Sequence, residues 1–197
     1  MYNEGNAGDN ISMMTVQIRE SISKAYGLSS TFMNTYSVMK NLPELTRIEA
    51  EGENQFFFIC NEMTHEVAML QEPDYIPSEI VDNTAYDADI TTRYEIDGVH
   101  MVLNTGNKAA HYDSNMAAML LLADWFDYLR EQGVYDNTRI ILVSDHGTGG
   151  GQFKELVIDK TFDAQEGACL LMVKDFNATG FTTSEEFMTN ADAPLLA

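Results

Sequence analysis

Three stretches of the chain are apolar without polar alternation: Asn54–Cys60, which holds Phe56-Phe57-Phe58-Ile59, Arg139–Ser144, which holds Ile140-Ile141-Leu142-Val143, and Ala168–Val173. A strand buried on both faces of a parallel sheet reads this way, whereas a half-solvated strand alternates. The pattern predicts these three stretches as central strands of one mixed, largely parallel sheet. Between them, His111–Gln132 carries Ala118, Leu121, Leu122, Trp125, Tyr128 and Leu129 on one face, with Met116 and Met119 widening the stripe and Gly133 as the stop. That spacing predicts a long amphipathic helix covering one face of the sheet. Ser12 to Ala25 and Thr31 to Leu42 repeat the helical period in shorter form, the second ended by Pro43. Glu155 to Asp159 reads as a strand or edge segment, and Ser184-Glu185-Glu186 as a helix start with early acids, favourable at the positive end of the helix dipole.

Each strong strand stops at polar groups. Val143 is followed by Ser144-Asp145-His146-Gly147-Thr148 and the glycines Gly149 to Gly151, and Cys60 by Asn61-Glu62-Met63-Thr64-His65. Ligands of open α/β sheets sit at the carboxyl ends of the strands, and Asp and His are common donors to Zn, Mn and related ions. Adjacent residues of a regular strand point to opposite faces, so Asp145 and His146 reach one ion only if the glycines after them break the strand. The same spacing equally fits an Asp that caps the next turn beside an exposed His146, and His65 fits a loop histidine bonded to backbone. A helix antiparallel to the following strand brings its amino end near the strand's carboxyl end. That would project His111, on the stripe seven residues before Ala118, toward Asp145 and His146; an exposed histidine at a helix start fits as well. Convergence of His65, Asp145 and His146 at one sheet edge is the expectation, with His111 beside them.

The 197 residues suffice for one substantial core. With 31 acidic and 11 basic side chains the net charge is −20, which repels nucleic acid and anionic lipid; a phosphate or sulfate ester would need a local positive centre such as a divalent ion. Most of that charge reads as a solvated surface. Leu70 to Gly98, with Pro73, Pro77, Asp74, Asp82, Asn83, Asp87 and Asp89, has no sustained period and reads as a long loop of solvated carboxylates without calcium-loop spacing. Cys60 and Cys169 make no disulfide framework and read as small core residues on strands. No run of 18 apolar residues and no signal-peptide pattern occurs. Met1 to Asn10 reads as a disordered lead-in, and the close at Ala193-Pro194-Leu195-Leu196-Ala197, without cap or polar tail, suggests truncation.

The segment Tyr135 to Gly147, preceded by Trp125-Phe126-Asp127-Tyr128-Leu129-Arg130-Glu131-Gln132-Gly133, resembles the late metal-binding motif of sulfatases and, more broadly, the alkaline-phosphatase-like superfamily. Phe56 to His65 is similar to the strand and substrate-side histidine of the lipoteichoic acid synthase branch, membrane-anchored enzymes that transfer phosphoglycerol outside the cell, and Leu171 to Ala197 resembles the close of that catalytic domain. The resemblance implies a truncated sulfatase-like α/β fold, its mixed and largely parallel central sheet flanked by helices, with residues 1–197 forming the carboxyl-terminal portion of the catalytic domain. It implies a divalent metal (Mn, Zn, Mg or Ca) on Asp145 and His146, and His65 as catalytic and substrate-binding; His111, from its place on the helix stripe, is the further substrate-binding candidate. The substrate would be an anionic ester, lipid- or glycan-linked ones included, with no nucleic acid partner and membrane contact only through parts outside this chain. The parent enzyme would lie on the extracytoplasmic face of a bacterial membrane, with this portion soluble. Family members carry a hydroxyl or modified-cysteine nucleophile and an acidic ligand on an earlier segment; no such motif precedes Ser12, so this portion alone is expected to be inactive. Gly149 to Gly151 stand where sulfatases often place more polar contacts. A non-catalytic binding domain of the same fold is the alternative.

Overall fold

The computed structural model describes residues 24–49, 52–87, 94–96, 98–149, 153–159 and 162–197. Contacts divide the chain into two compact units, Met1–Phe126 and Asp127–Ala197. The expected lead-in at residues 1–10, residues 12–23 of the first expected helix, and Asp89 lie outside the described residues.

In the first unit, helix α1 (Ser30–Lys40) starts where Ser29 Oγ accepts a hydrogen bond from Phe32 N at 3.3 Å, satisfying a donor the helix leaves orphaned. Its buried residues Phe32, Tyr36 and Met39 recur at spacings of four and three, one face of a helix. Pro43, expected to end this helix, lies in the first turn of a separate one-turn helix, α2 (Leu42–Leu45). There its missing N–H has no intrahelical partner to lose. Phe32, Tyr36, Met39 and Leu42 pack with Met63, Leu70, Ala117 and Ala118, and Trp125 joins the cluster at its margin. Trp125 Nε1 donates to Thr46 Oγ1 at 2.9 Å, so the ring packs while its one polar atom stays bonded.

The region expected to be an unstructured loop is tied down. Strand β1 (Lys24–Tyr26) pairs antiparallel with β2 (Ile80–Asp82), so Lys24 and Ala25 belong to a strand and not to the expected helix. A one-turn helix α3 (Thr84–Asp87) follows, then the short pair β3 (Glu95–Ile96) and β4 (Val99–His100). Asn83, read from sequence as solvated, is fully buried. Its Oδ1 accepts from Glu72 N and Gln71 Nε2, and its Nδ2 donates to Leu70 O. A buried amide in this role satisfies backbone groups that no strand partner reaches.

Helix α4 (Gly106–Glu131) begins five residues before the expected start at His111, with Thr105 Oγ1 accepting from Lys108 N at 3.3 Å. Two buried polar residues on it, Asp113 and Ser114, hold the segment before Gln71: Leu70 N donates to Asp113 Oδ2 at 3.0 Å, and Ala68 N to Ser114 Oγ at 2.9 Å.

The expected strand Asn54–Cys60 is not a strand. Among the described residues nothing pairs with it, Phe56, Phe57 and Phe58 are 75%, 75% and 81% exposed, and Cys60, expected in the core, is exposed. An apolar run states what a segment would bury if covered on both faces; pairing also needs neighbouring backbone at its edges, which the described residues do not supply.

In the second unit, β5 (Ile140–Val143) pairs with β8 (Leu171–Lys174), Ile140 opposite Lys174 and Val143 opposite Leu171. The pair is antiparallel, which corrects the expected parallel arrangement. Parallel neighbours need a crossover that returns the chain to its starting side, usually a helix. The link here instead contains the hairpin β6 (Val157–Asp159) and β7 (Phe162–Asp163), flanked by 3₁₀ turns Lys154–Leu156 and Ala164–Gly167. The sheets among the described residues are all two-stranded and antiparallel, so the strands expected as central have at least one open edge. Cys169, expected on a strand, precedes β8 and is half-buried. Ser184 to Glu186 form no helix; Ser184 Oγ accepts from Glu186 N at 3.2 Å, and the only regular element beyond β8 among the described residues is a 3₁₀ turn, Asn190–Leu195, capped reciprocally by Thr189 and Asp192. No helix of the described residues is long and apolar enough to cross a membrane.

Candidate functional site

Asp145 and His146 follow directly on β5, where the ladder with β8 closes. Ser144 N donates to Leu170 O at 3.0 Å and Leu170 N to Ser144 Oγ at 2.8 Å, so the chain leaves the strand at a fixed point. Asp145 Oδ1 accepts from His146 N at 2.9 Å, as in an Asp that organises its own turn. The capping alternative read from sequence therefore describes this carboxylate in part. Its other oxygen, Oδ2, lies 3.7 Å from His146 Nε2, and the side chains of His146 and Asp145 are 61% and 88% exposed. His146 Nδ1 sits 2.5 Å from Gly147 O. A carbonyl only accepts, so Nδ1 is the donor in this contact and Nε2 is the nitrogen turned toward the carboxylate.

Those two donors fit one ion. Two ligands each about 2.0–2.2 Å from a metal lie at most roughly 4 Å apart, and a backbone-anchored imidazole beside a carboxylate is the donor chemistry of Zn and Mn sites. Among the described residues no three His, Cys, Asp or Glu side chains are arranged to hold an ion, so the pair makes part of a coordination sphere.

The turn is clamped from behind by residues that sequence reasoning missed. Gly147 N donates to Glu166 O at 3.0 Å, and a Cβ on Gly147 would stand 2.2 Å from Gln165 O and 2.6 Å from Ala168 O. Only glycine permits that approach. The 3₁₀ turn Ala164–Gly167 is itself held by Asp163, whose carboxylate accepts from Gln165 N and from buried Gln165 Nε2. Asp145 O accepts from Asn190 Nδ2 at 2.8 Å and lies 3.3 Å from Cys169 Sγ. Asn190 is 45 residues away and Gln165 sits in a polar stretch; no periodicity marks either. In front of the turn, a depression of about 410 Å³ is lined by His146, Gly147, Thr148, Gly149 and Glu166.

In the first unit, His65 closes a turn begun by Asn61, with His65 N donating to Glu62 O at 3.0 Å and Asn61 Oδ1 accepting from Met63 N at 2.9 Å. Its side chain is exposed, and its backbone bond matches the loop-histidine alternative. His111 lies on α4 one turn past the start and is half-buried. Burial first, and then the charge of His65, hold the His111 imidazole below its ordinary value. The structure therefore brings His65 and His111 into one electrostatic neighbourhood. Asp145 and His146 form their own pair in the second unit.

The sequence model of the family described as Sulfatase matches residues 2–186. No curated protein and no solved structure matches the chain.

Proposed function

Because the chain belongs to the sulfatase family, within the alkaline-phosphatase-like superfamily, we propose that it is part of a metal-dependent hydrolase or transferase of phosphate or sulfate esters. The observation that carries this reading is the Asp145–His146 pair. Its carboxylate and Nε2 lie 3.7 Å apart at the end of β5, and Nδ1 is tied to Gly147 O. A divalent ion held by these two residues would supply Lewis-acid stabilisation of the ester oxygens and activation of a hydroxyl nucleophile.

The remaining chemistry falls to the chain's own side chains. His146 is kept in the tautomer that offers Nε2, and Asn190 holds the main chain of Asp145 so that the carboxylate stays directed by its own turn. His65, exposed on its turn, serves as the proton carrier to the leaving oxygen or as a donor to a non-bridging oxygen. His111, held toward the neutral form by burial and by His65, donates a hydrogen bond to the ester without demanding a counter-charge. We assign the attacking hydroxyl to no residue of this chain and expect no turnover from it alone.

Within the family we favour phosphoglycerol-type transfer on the extracytoplasmic side of a membrane. Support comes from the likeness of Phe56 to His65 to the lipoteichoic acid synthase branch, and from a charge of −20 that leaves anion binding to a local cation. Assays of the complete protein with a glycerophosphodiester and an aryl sulfate, each with and without Mn, test the assignment. Metal-dependent turnover of the phosphodiester that Asp145→Ala abolishes is the expected result. Turnover that survives the substitution removes Asp145 as a metal ligand, preference for the sulfate ester refutes the phosphoglycerol reading, and no turnover of either ester favours the non-catalytic alternative.

A further inference from the structure

We propose that Glu166 determines specificity at this site: its carboxylate receives the alcohol portion of the bound ester, favouring alcohols that carry hydrogen-bond donors, hydroxyl or ammonium, and rejecting those that carry a second acid. The inference rests on the reading of Asp145 and His146 as the ester-binding centre.

Glu166 lines the same depression as His146, Gly147, Thr148 and Gly149, although it lies 20 residues from His146 in sequence and belongs to a different element, the 3₁₀ turn Ala164–Gly167. That turn is seated against Gly147, where the carbonyls of Gln165 and of the following Ala168 come closer than any side chain would allow, and by the bond from Gly147 N to Glu166 O. The backbone of Glu166 is therefore fixed relative to the Asp145–His146 turn. Its side chain runs along the glycines: a Cβ on Gly149 would stand 2.5 Å from Glu166 Oε1 and 2.9 Å from its Cγ. The carboxylate accordingly lies over Gly149, on the wall of the depression that opens beside His146. No hydrogen bond or ion pair engages that carboxylate among the described residues.

An exposed acid with no partner, held over a pocket floored by backbone and glycine, has two consequences for a ligand. It accepts from donors that approach it, and it repels negative charge brought within a few ångströms. The ester's own anion would be held at Asp145 and His146, and the next group along the ligand meets Glu166. Because the site is open to water, the discrimination is modest, roughly twofold to fivefold, as for an exposed charge pair.

Three phosphate monoesters that differ in the alcohol test this on the full chain: glycerol 3-phosphate carries hydroxyls, phosphoethanolamine an ammonium, and phosphoserine the same ammonium plus a carboxylate. Binding is followed in the presence of Zn from the amide signals of Gly147 and Gly149. The wild type is expected to bind the first two more tightly than phosphoserine by about twofold to fivefold, and the ratio of glycerol 3-phosphate to phosphoethanolamine shows whether hydroxyl or ammonium is preferred. Glu166→Gln keeps the shape, removes the charge and should bring phosphoserine level with the others. Gly149→Ala keeps the charge but pushes the flexible carboxylate off the wall, and should have the same effect. Unchanged discrimination in Glu166→Gln, or equal binding of all three esters by the wild type, overturns the proposal. Asp145→Ala separates it from the reading beneath: if all three esters still bind as in the wild type, the ester centre is misplaced, whatever Glu166 does.

Discussion

Replacing Gly147 with alanine adds one methyl group at the point where the Asp145–His146 turn meets the 3₁₀ turn Ala164–Gly167. Gly147 does not occupy the left-handed region, so backbone strain plays no part and space alone decides. The new Cβ would stand 2.2 Å from Gln165 O and 2.6 Å from Ala168 O, about an ångström closer than non-bonded carbon and oxygen tolerate. Neither oxygen belongs to a side chain that could swing away. Gln165 is buried and held through its N and Nε2 by Asp163, and Ala168 N donates back to Gln165 O at 3.1 Å. Relief therefore requires the two turns to separate, at an overpacking cost of about 1–3 kcal/mol. Separation also loses the 3.0 Å bond from Gly147 N to Glu166 O, worth about 0.5–1.5 kcal/mol. The sum is about 1.5–4.5 kcal/mol, which for a chain of this length lowers Tm by roughly 6–12 °C at its middle value of about 3 kcal/mol. Thermal unfolding followed by circular dichroism measures the shift, and the His146 imidazole signals should move with it. Gly149→Ala is the control, since the three atoms nearest its Cβ all belong to the flexible Glu166 side chain, and it should stay within about 0.5 kcal/mol of wild type. Equal melting temperatures for Gly147→Ala and wild type would show that the two turns are not in this close contact.

Trp125→Ala should cost about 3 kcal/mol, the low end for a buried aromatic because the ring is at the margin of its cluster. Trp125→Phe should cost about 1 kcal/mol through the lost bond to Thr46 Oγ1; urea titration separates the two, and equal losses would refute the packing role. The His111 imidazole should titrate below 6.5 by NMR. A proton then binds the unfolded chain more tightly, so this group's stabilisation is complete above pH 6.5 and declines as pH falls from there toward the folded value. His65→Asn should raise the His111 midpoint only partway, because burial is the larger cause; no movement at all would sever the link between the two histidines. Calorimetric titration with Mn at moderate salt should give weak binding, since two ligands fill only part of the coordination sphere, and Asp145→Ala should remove it. Tight binding that survives the substitution would place the ion elsewhere.

What was legible in the sequence was local. The helical stripe from Ala118 to Leu129 appears as α4, the run from Ile140 to Val143 as β5, and Asp145 with His146 as the break after it, because side-chain period and glycine spacing act over a few residues. The family, too, was readable from the segment around Asp145, and the α/β class follows from it. What the tertiary structure decided was pairing. Phe56 to Ile59 and Ile140 to Val143 carry the same apolar signature, yet one is exposed, with no pairing partner among the described residues, and the other joins a ladder. Whether β5 and β8 run parallel or antiparallel depends on the connection between them, which no apolar pattern encodes. Asn83 and Asn190 are polar residues in polar stretches, and their roles arise only because chain remote in sequence brings them an orphan backbone group. Apolar periodicity reports the free energy a segment gains if it is covered. The cover, the strand direction and the bonds that satisfy buried backbone come from segments tens of residues away, and only the folded chain brings them together.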